Sequence, residues 1–314
     1  MIEEVVSVEL PVHERMIIRK NRLRPQFETG REKRVAIVSG IHGDELEGQY
    51  VCYEVIRKIQ QHPEFLEGIV DIYPCLNPLG MDAIYRNVPK TETDMNRIFP
   101  GNKKGTMMEY VAACIVDNII GSDICIDVHS SDTFIREIPQ VRLRETYSEQ
   151  LLPFAKLMNV DMIWTNATRT VDESTLAYSL NMLGVPAMIV EMGIGNHINK
   201  VFGNQVVDGI FNVMKTMGVW HGEVGPIKKP LIPKEGEIEF IRANRTGVFI
   251  PAIVYNQYVK EGQKVGEIVE PLSGECQEVF YAKKAGMVFS LREYPMIYEG
   301  ALIARIISGI KEGY

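Results

Sequence analysis

The chain is poor in several things, and each shortage excludes something. Cysteine is scarce: five in 314 residues, an odd number with no Cys-x-x-Cys spacing. That argues against a disulfide framework and a cysteine-built zinc module. Four of the five sit in apolar runs, as reduced, buried thiols of a cytoplasmic protein do. No apolar stretch reaches the roughly 18 residues that a membrane span needs. The first twenty residues are interrupted by Glu3, Glu4, Glu9, His13, Glu14 and Arg15, so neither a signal peptide nor a membrane helix is expected there. Positive charge is not in excess: 34 Lys and Arg face 41 Asp and Glu, for a net charge of −7. With the basic residues scattered, no nucleic-acid or anionic-membrane surface is expected. Internal repeats and low-complexity tracts are also missing. What is present is apolar residue, 46% of the chain, enough for a sizeable core in two domains or one large domain with an appendage.

Periodicity divides the chain in two. Val35–Ser39 reads as a short buried strand, and Gly40-Ile41-His42-Gly43-Asp44 turns it into a helix over about 45–60, with Asp44 as N-cap. Further strands are expected at 70–76, 123–128, 161–165 and 185–190, and helices at about 106–120, 148–158, 173–183 and 199–217. A long polar loop fills 77–104. Strands alternating with helices predict a mostly parallel sheet covered on both faces. Residues 221–236 hold Gly222, Gly225, Pro226, Pro230, Pro233 and Gly236, a linker composition. From 237 onward short strands alternate with glycine turns, which predicts a small all-β domain over 237–314 after an α/β domain over 1–221.

His42, His129 and Glu191 each fall just past the end of an expected strand, where open α/β sheets bind their ligands. Any one alone means little; together with Glu45 they form a constellation. The spacing His42-x-x-Glu45 lets a turn residue and a first-helical-turn residue face one point. Adding His129 gives three ligands and an open fourth position, the arrangement of a catalytic rather than a structural zinc. Imidazole and carboxylate suit zinc better than magnesium or calcium.

At this point the residues resemble a family. Gly40-Ile41-His42-Gly43-Asp44-Glu45, Asp94-Met95-Asn96-Arg97, Asp127-Val128-His129 and Val190-Glu191-Met192-Gly193 resemble, in order, the motifs of the succinylglutamate desuccinylase/aspartoacylase branch of the zinc carboxypeptidase superfamily. The resemblance implies a zinc-carboxypeptidase-like mixed sheet and one Zn2+ held by His42, Glu45 and His129. It implies that Asp94 orients His42, that Asn96 and Arg97 bind a substrate carboxylate, that Arg86 stabilises the oxyanion, and that Glu191 is general base and acid. Asp127 is equally readable as a sheet-end residue with no catalytic part. His197 reads first as a loop histidine and second as a pocket residue. A site tyrosine is not identifiable, with Tyr255, Tyr294 and Tyr298 as candidates.

Residues 259–310 resemble a biotinyl/lipoyl-like sandwich, but the hairpin Pro271-Leu272-Ser273-Gly274 has no Lys to modify, and Lys283 and Lys284 fall later. A swinging-arm carrier is therefore not expected; the region would cover the crevice or build a homo-oligomer contact. The expected function is hydrolysis of a small, carboxylate-bearing N-acyl amino acid or related amine by metal-activated water. The alternatives are a zinc carboxypeptidase acting on peptides and a non-enzymatic metal- or ligand-binding protein.

Overall fold

The computed structural model describes residues 1–165 and 174–310. The α/β region contains β1 (Ile2–Glu9), β2 (Arg15–Leu23), β3 (Arg34–Ser39), α1 (Glu47–Gln61), β4 (Ile69–Tyr73), α2 (Pro78–Asp82) and α3 (Met107–Ile119). It continues with β5 (Ile124–Ser130), β6 (Ile135–Arg142), α4 (Glu145–Ala155), β7 (Met162–Trp164), α5 (Leu176–Met182), β8 (Ala187–Gly193) and α6 (Lys200–Thr216). The rest is strand: β9 (Ile238–Arg242), β10 (Gly247–Pro251), β11 (Tyr258–Val259), β12 (Lys264–Glu270), β13 (Glu275–Tyr281), β14 (Gly286–Arg292), β15 (Met296–Ile297) and β16 (Leu302–Ser308).

The parallel centre runs β4-β3-β5-β8. These strands are continuous apolar runs because both of their faces are covered. Alternate residues separate the two faces. Val35, Ile37, Ile124, Ile126 and Val128 pack with α1, α4 and α6, whereas Ala36, Val38 and Cys125 pack with α3 and α5. Antiparallel strands extend the sheet on either side: β1-β2 beyond β4, and β6 beyond β8.

The expected α/β sheet and the run of short C-terminal strands are both present. Three corrections concern the site. First, α1 begins at Glu47 with Leu46 at its N-cap position and no side-chain cap, so Asp44 does not cap it and Glu45 belongs to the preceding turn. Second, His129 and Glu191 lie within β5 and β8 rather than beyond them. Third, β6 occupies a stretch where no strand was expected, and the polar loop 77–104 contains α2 and a 3-10 turn at Met95–Arg97. The start of the helix expected over 173–183 lies outside the described residues; its described part is α5.

The C-terminal strands form two layers. One is the sheet β13-β12-β10-β15; the other, β14-β16-β9, continues the main sheet, because β14 pairs antiparallel with β6. Phe249, Val265, Ile268, Val288, Ile303 and Ile306 fill the space between the layers. The β12–β13 hairpin tip is at 271–274, with Leu272 exposed.

Candidate active site

The site is built at the carboxyl ends of β3, β5 and β8. Gly40, at φ 66°, leaves β3 in the left-handed region. The next turn is packed so tightly that a Cβ on Gly43 would stand 2.0 Å from the Gly80 backbone. That closeness fixes His42 and Glu45 on either side of Gly43. The Gly43 N–H and the Asn77 side-chain amide both donate to the Arg86 carbonyl (3.2 and 3.3 Å), tying the Arg86 loop to the same turn.

Glu45 is the centre. Its two carboxylate oxygens lie 2.6 Å from His42 Nδ1 and 2.8 Å from His129 Nδ1. The Ser130 N–H donates to one oxygen at 3.2 Å and Arg86 to the other at 2.8 Å. All three ligand-type side chains are buried, and one donor atom from each falls within 4.8 Å of the others. Each imidazole turns its far nitrogen to an aspartate. His42 Nε2 is 3.2 Å from Asp94 Oδ1, and His129 Nε2 is 3.2 Å from Asp127 Oδ2, though this second contact is not aligned as a hydrogen bond. Asp94 also accepts from the Asn96 N–H at 2.9 Å, so the turn that presents Asn96 and Arg97 is the one that presents Asp94.

The charges shape one another. Burial disfavours a charged His42 or His129. Glu45 and Asp94 outweigh it at His42, and Asp127 and Glu45 do so at His129, so both imidazoles are held above the usual histidine value, His129 well above. Burial alone would raise Glu45, but the two imidazoles hold it far below the carboxylate range. Asp94, despite burial, is held down at about 2, chiefly by His42. Glu191 goes the other way: burial raises it, and Arg142 only partly offsets this.

A cavity of about 510 Å³ gathers His42, Glu45, Arg86, Asn96, Arg97, His129 and Glu191. Asp94 stands behind His42. Asn96 is buried, with its side-chain oxygen accepting from the Leu176 N–H at 2.9 Å. Arg97 is exposed at the rim and donates to the Asn96 carbonyl at 2.9 Å.

The structure adds residues that the sequence did not single out. Glu137 and Arg142 from β6, Arg144, Tyr178 and Arg305 also line the cavity. The Arg144 guanidinium lies 4.3 Å from the Tyr178 ring centre. Among the described residues Tyr255, Tyr294, Tyr298 and His197 do not line it. His197 Nδ1 lies 3.0 Å from the Gly195 carbonyl, and Tyr255 packs on Phe202. Local pattern carries no signal for Glu137, Arg142 or Arg305, because their meeting depends on strand pairings far apart in sequence.

Fold and site together define a class: an α/β protein whose parallel strands end in a buried, metal-competent His-Glu-His cluster facing a carboxylate. Within that class the chain belongs to the succinylglutamate desuccinylase/aspartoacylase family, whose catalytic-domain model matches residues 31–217. It is 22% identical over 275 residues to the N-alpha-acetyl-L-2,4-diaminobutyric acid deacetylase of Halomonas elongata, covering 82% of this chain and 77% of that protein. The fold is similar to that of a succinylglutamate desuccinylase/aspartoacylase from Rhodobacter sphaeroides, with a TM-score of 0.81 at 21% identity over 98% of this chain and 95% of that one. The product-bound ectoine utilization protein EutE (DoeB) from Ruegeria pomeroyi gives a TM-score of 0.80 at 19% identity, covering 96% and 93%. In the described residues no helix is long and apolar enough to cross a membrane.

Proposed function

We propose that the chain is a zinc-dependent deacylase that hydrolyses the amide bond of a small, carboxylate-bearing N-acyl amino acid or related N-acyl amine in the cytoplasm. One observation carries the reading: both oxygens of the buried Glu45 carboxylate meet an imidazole Nδ1, and the partly buried Glu191 lines the same cavity beside His129. The donor set fits zinc, with two imidazole nitrogens and one carboxylate oxygen close enough to share an ion, each imidazole backed by an aspartate. His42, Glu45 and His129 would hold the zinc, which would supply Lewis acidity to activate water at neutral pH and to polarise a carbonyl.

The chain's own groups do the rest. Glu191 accepts the attacking water's proton at its carboxylate and returns it to the leaving nitrogen. Burial raises its pKa above the ordinary carboxylate value, which makes it a stronger base. Arg86 donates to Glu45 and lines the cavity, where it would stabilise the oxygen on which negative charge develops. Arg97 offers its planar fork to a substrate carboxylate at the rim, beside Asn96. Asp94, through His42, fixes which ring nitrogen faces the ion. A cavity of about 510 Å³ suits a small molecule better than a peptide. The unpaired thiols Cys52, Cys75, Cys114, Cys125 and Cys276 suit a reducing compartment.

A panel of N-acetyl, N-succinyl and N-formyl amino acids beside short peptides, run with and without a chelator, tests the proposal. Chelator-sensitive cleavage of one or more N-acyl amino acids, with peptides cleaved poorly, is expected. Equal cleavage of long peptides would replace the deacylase with a carboxypeptidase. Turnover indifferent to metal removal would end the zinc reading.

A further inference from the structure

We propose that Arg305, on the C-terminal strands, is a positioning residue for Glu191, acting through Glu137 and Arg142; this rests on Glu191 being the base. The four side chains alternate in charge and run from the C-terminal strands to the reaction centre. Arg305 Nη1 donates to Glu137 Oε1, Arg142 Nη2 donates to Glu137 Oε2 at 2.6 Å, and Arg142 Nη1 donates to Glu191 Oε1 at 3.3 Å. Glu137 is only 1% exposed, so a carboxylate is buried between two guanidiniums that both reach the cavity.

Sheet geometry explains how such distant residues meet. Glu137 and Arg142 are five apart, which puts two residues of a regular strand on opposite faces. In β6 the pairing with β8 shifts: Glu137 stands opposite Gly193 and Gln140 opposite Glu191, three residues against two. The extra residue is a bulge, and it turns Glu137 and Arg142 to the same face as Glu191. Next door, Ser290 of β14 stands opposite both Glu137 of β6 and Arg305 of β16. Ser290 is fully buried and small, so Arg305 lies across it, 3.4 Å from its hydroxyl, and reaches Glu137 one strand further on. Trp164 backs the row, with its ring centre 5.9 Å from the Arg142 guanidinium carbon and 5.7 Å from that of Arg305. Arg305 touches neither the His-Glu-His cluster nor Glu191. Its effect is on where Arg142 holds the Glu191 carboxylate.

The test uses full-length Arg305→Met and Arg305→Lys, plus Arg305→Met/Glu137→Gln, which removes both charges together in case the single change unfolds the protein. For the best N-acyl substrate of the panel, Arg305→Met and the double variant should lose about 10–100-fold in kcat, as partners of catalytic groups do. KM should stay within about two-fold, zinc content should be unchanged, and Arg305→Lys should recover most of the loss. Crystal structures of the two Met variants should show Arg142 moved off Glu191. Wild-type kcat in both variants, or a Glu191–Arg142 pair that has not moved, overturns the proposal. If the wild type hydrolyses nothing in the panel, the deacylase reading falls, while the crystal structures still decide whether Arg305 positions the pair.

Discussion

His129 stands opposite Glu191 in the parallel register of β5 and β8. Side chains so paired leave the sheet on the same side, so a ligand-type imidazole and the carboxylate beside it share one wall of the cavity. The spacing is set by the sheet, not by a loop. Glu191→Gln should therefore fold normally and keep its metal while losing roughly 10²–10⁴-fold in turnover, because the amide keeps the shape but cannot take a proton. Steady-state kinetics beside metal analysis reads both quantities. Near-normal kcat would mean that another group is the base.

About one zinc per chain is expected. His42→Ala and His129→Ala should each come out strongly depleted in elemental analysis, and full occupancy in both would remove the site assignment. The same site predicts a proton linkage. Without metal, both imidazoles are held above the usual histidine value, so they keep their protons to higher pH than free imidazole, and an ion must displace those protons. Titrating zinc into the metal-free chain in buffers of different ionisation enthalpy should thus show proton release. Release should be greatest below the raised values and should fall as pH rises through them; zinc affinity should rise over the same range. Pure, pH-independent binding would contradict the charge state described.

Arg97 is exposed at the rim, so the contact proposed for it with a substrate carboxylate would be partly screened. Arg97→Ala should cost about 1–2 kcal/mol in kcat/KM, below the value for a fully buried pair. Esterifying the substrate carboxylate should abolish most of the difference between variant and wild type. An equal loss on both substrates would indicate damage to the turn rather than a lost contact.

Gly43→Ala should weaken metal binding without touching a ligand. The added Cβ meets backbone at Gly80, which no rotamer change relieves. A loss of about 1–3 kcal/mol of stability is expected from overpacking of this kind, together with reduced zinc retention. Thermal unfolding and metal content measure the two effects. A variant with wild-type values for both would show that the turn can shift freely.

The parts of this architecture that local pattern writes were readable in advance. Buried runs at β3, β5 and β8 announced a parallel core, and the ends of those runs were enough to bring His42, His129 and Glu191 to one cavity. Helix boundaries were readable where caps are strong, as at Thr106, whose side chain and Glu109 form a reciprocal cap on α3. What failed was β6. Its Ile-Arg-Glu-Ile-Pro-Gln-Val-Arg has a proline in the middle, and the bulge there breaks the two-residue alternation that marks a strand. With β6 unread, Glu137 and Arg142 were invisible, and so was the route by which Arg305 reaches the cavity. The tyrosine at the cavity was missed for a related reason. Tyr178 precedes Glu191 on α5, whereas the expected candidates Tyr255, Tyr294 and Tyr298 all follow it.

The pairing of β14 with β6 bears on how this protein would behave if its backbone were cut. The connector over 221–236 is the sole covalent join between the α/β region and the later strands, but ladder hydrogen bonds and the Arg136–Glu293 and Arg305–Glu137 ion pairs also cross between the two pieces. A protease that opens the chain near Glu223 leaves those bonds in place. The nicked protein should migrate as two bands in denaturing gels and as one species in solution. Two separately expressed fragments, 1–223 and 224–314, are accordingly a rational starting point for a split enzyme, in which activity reports their reunion.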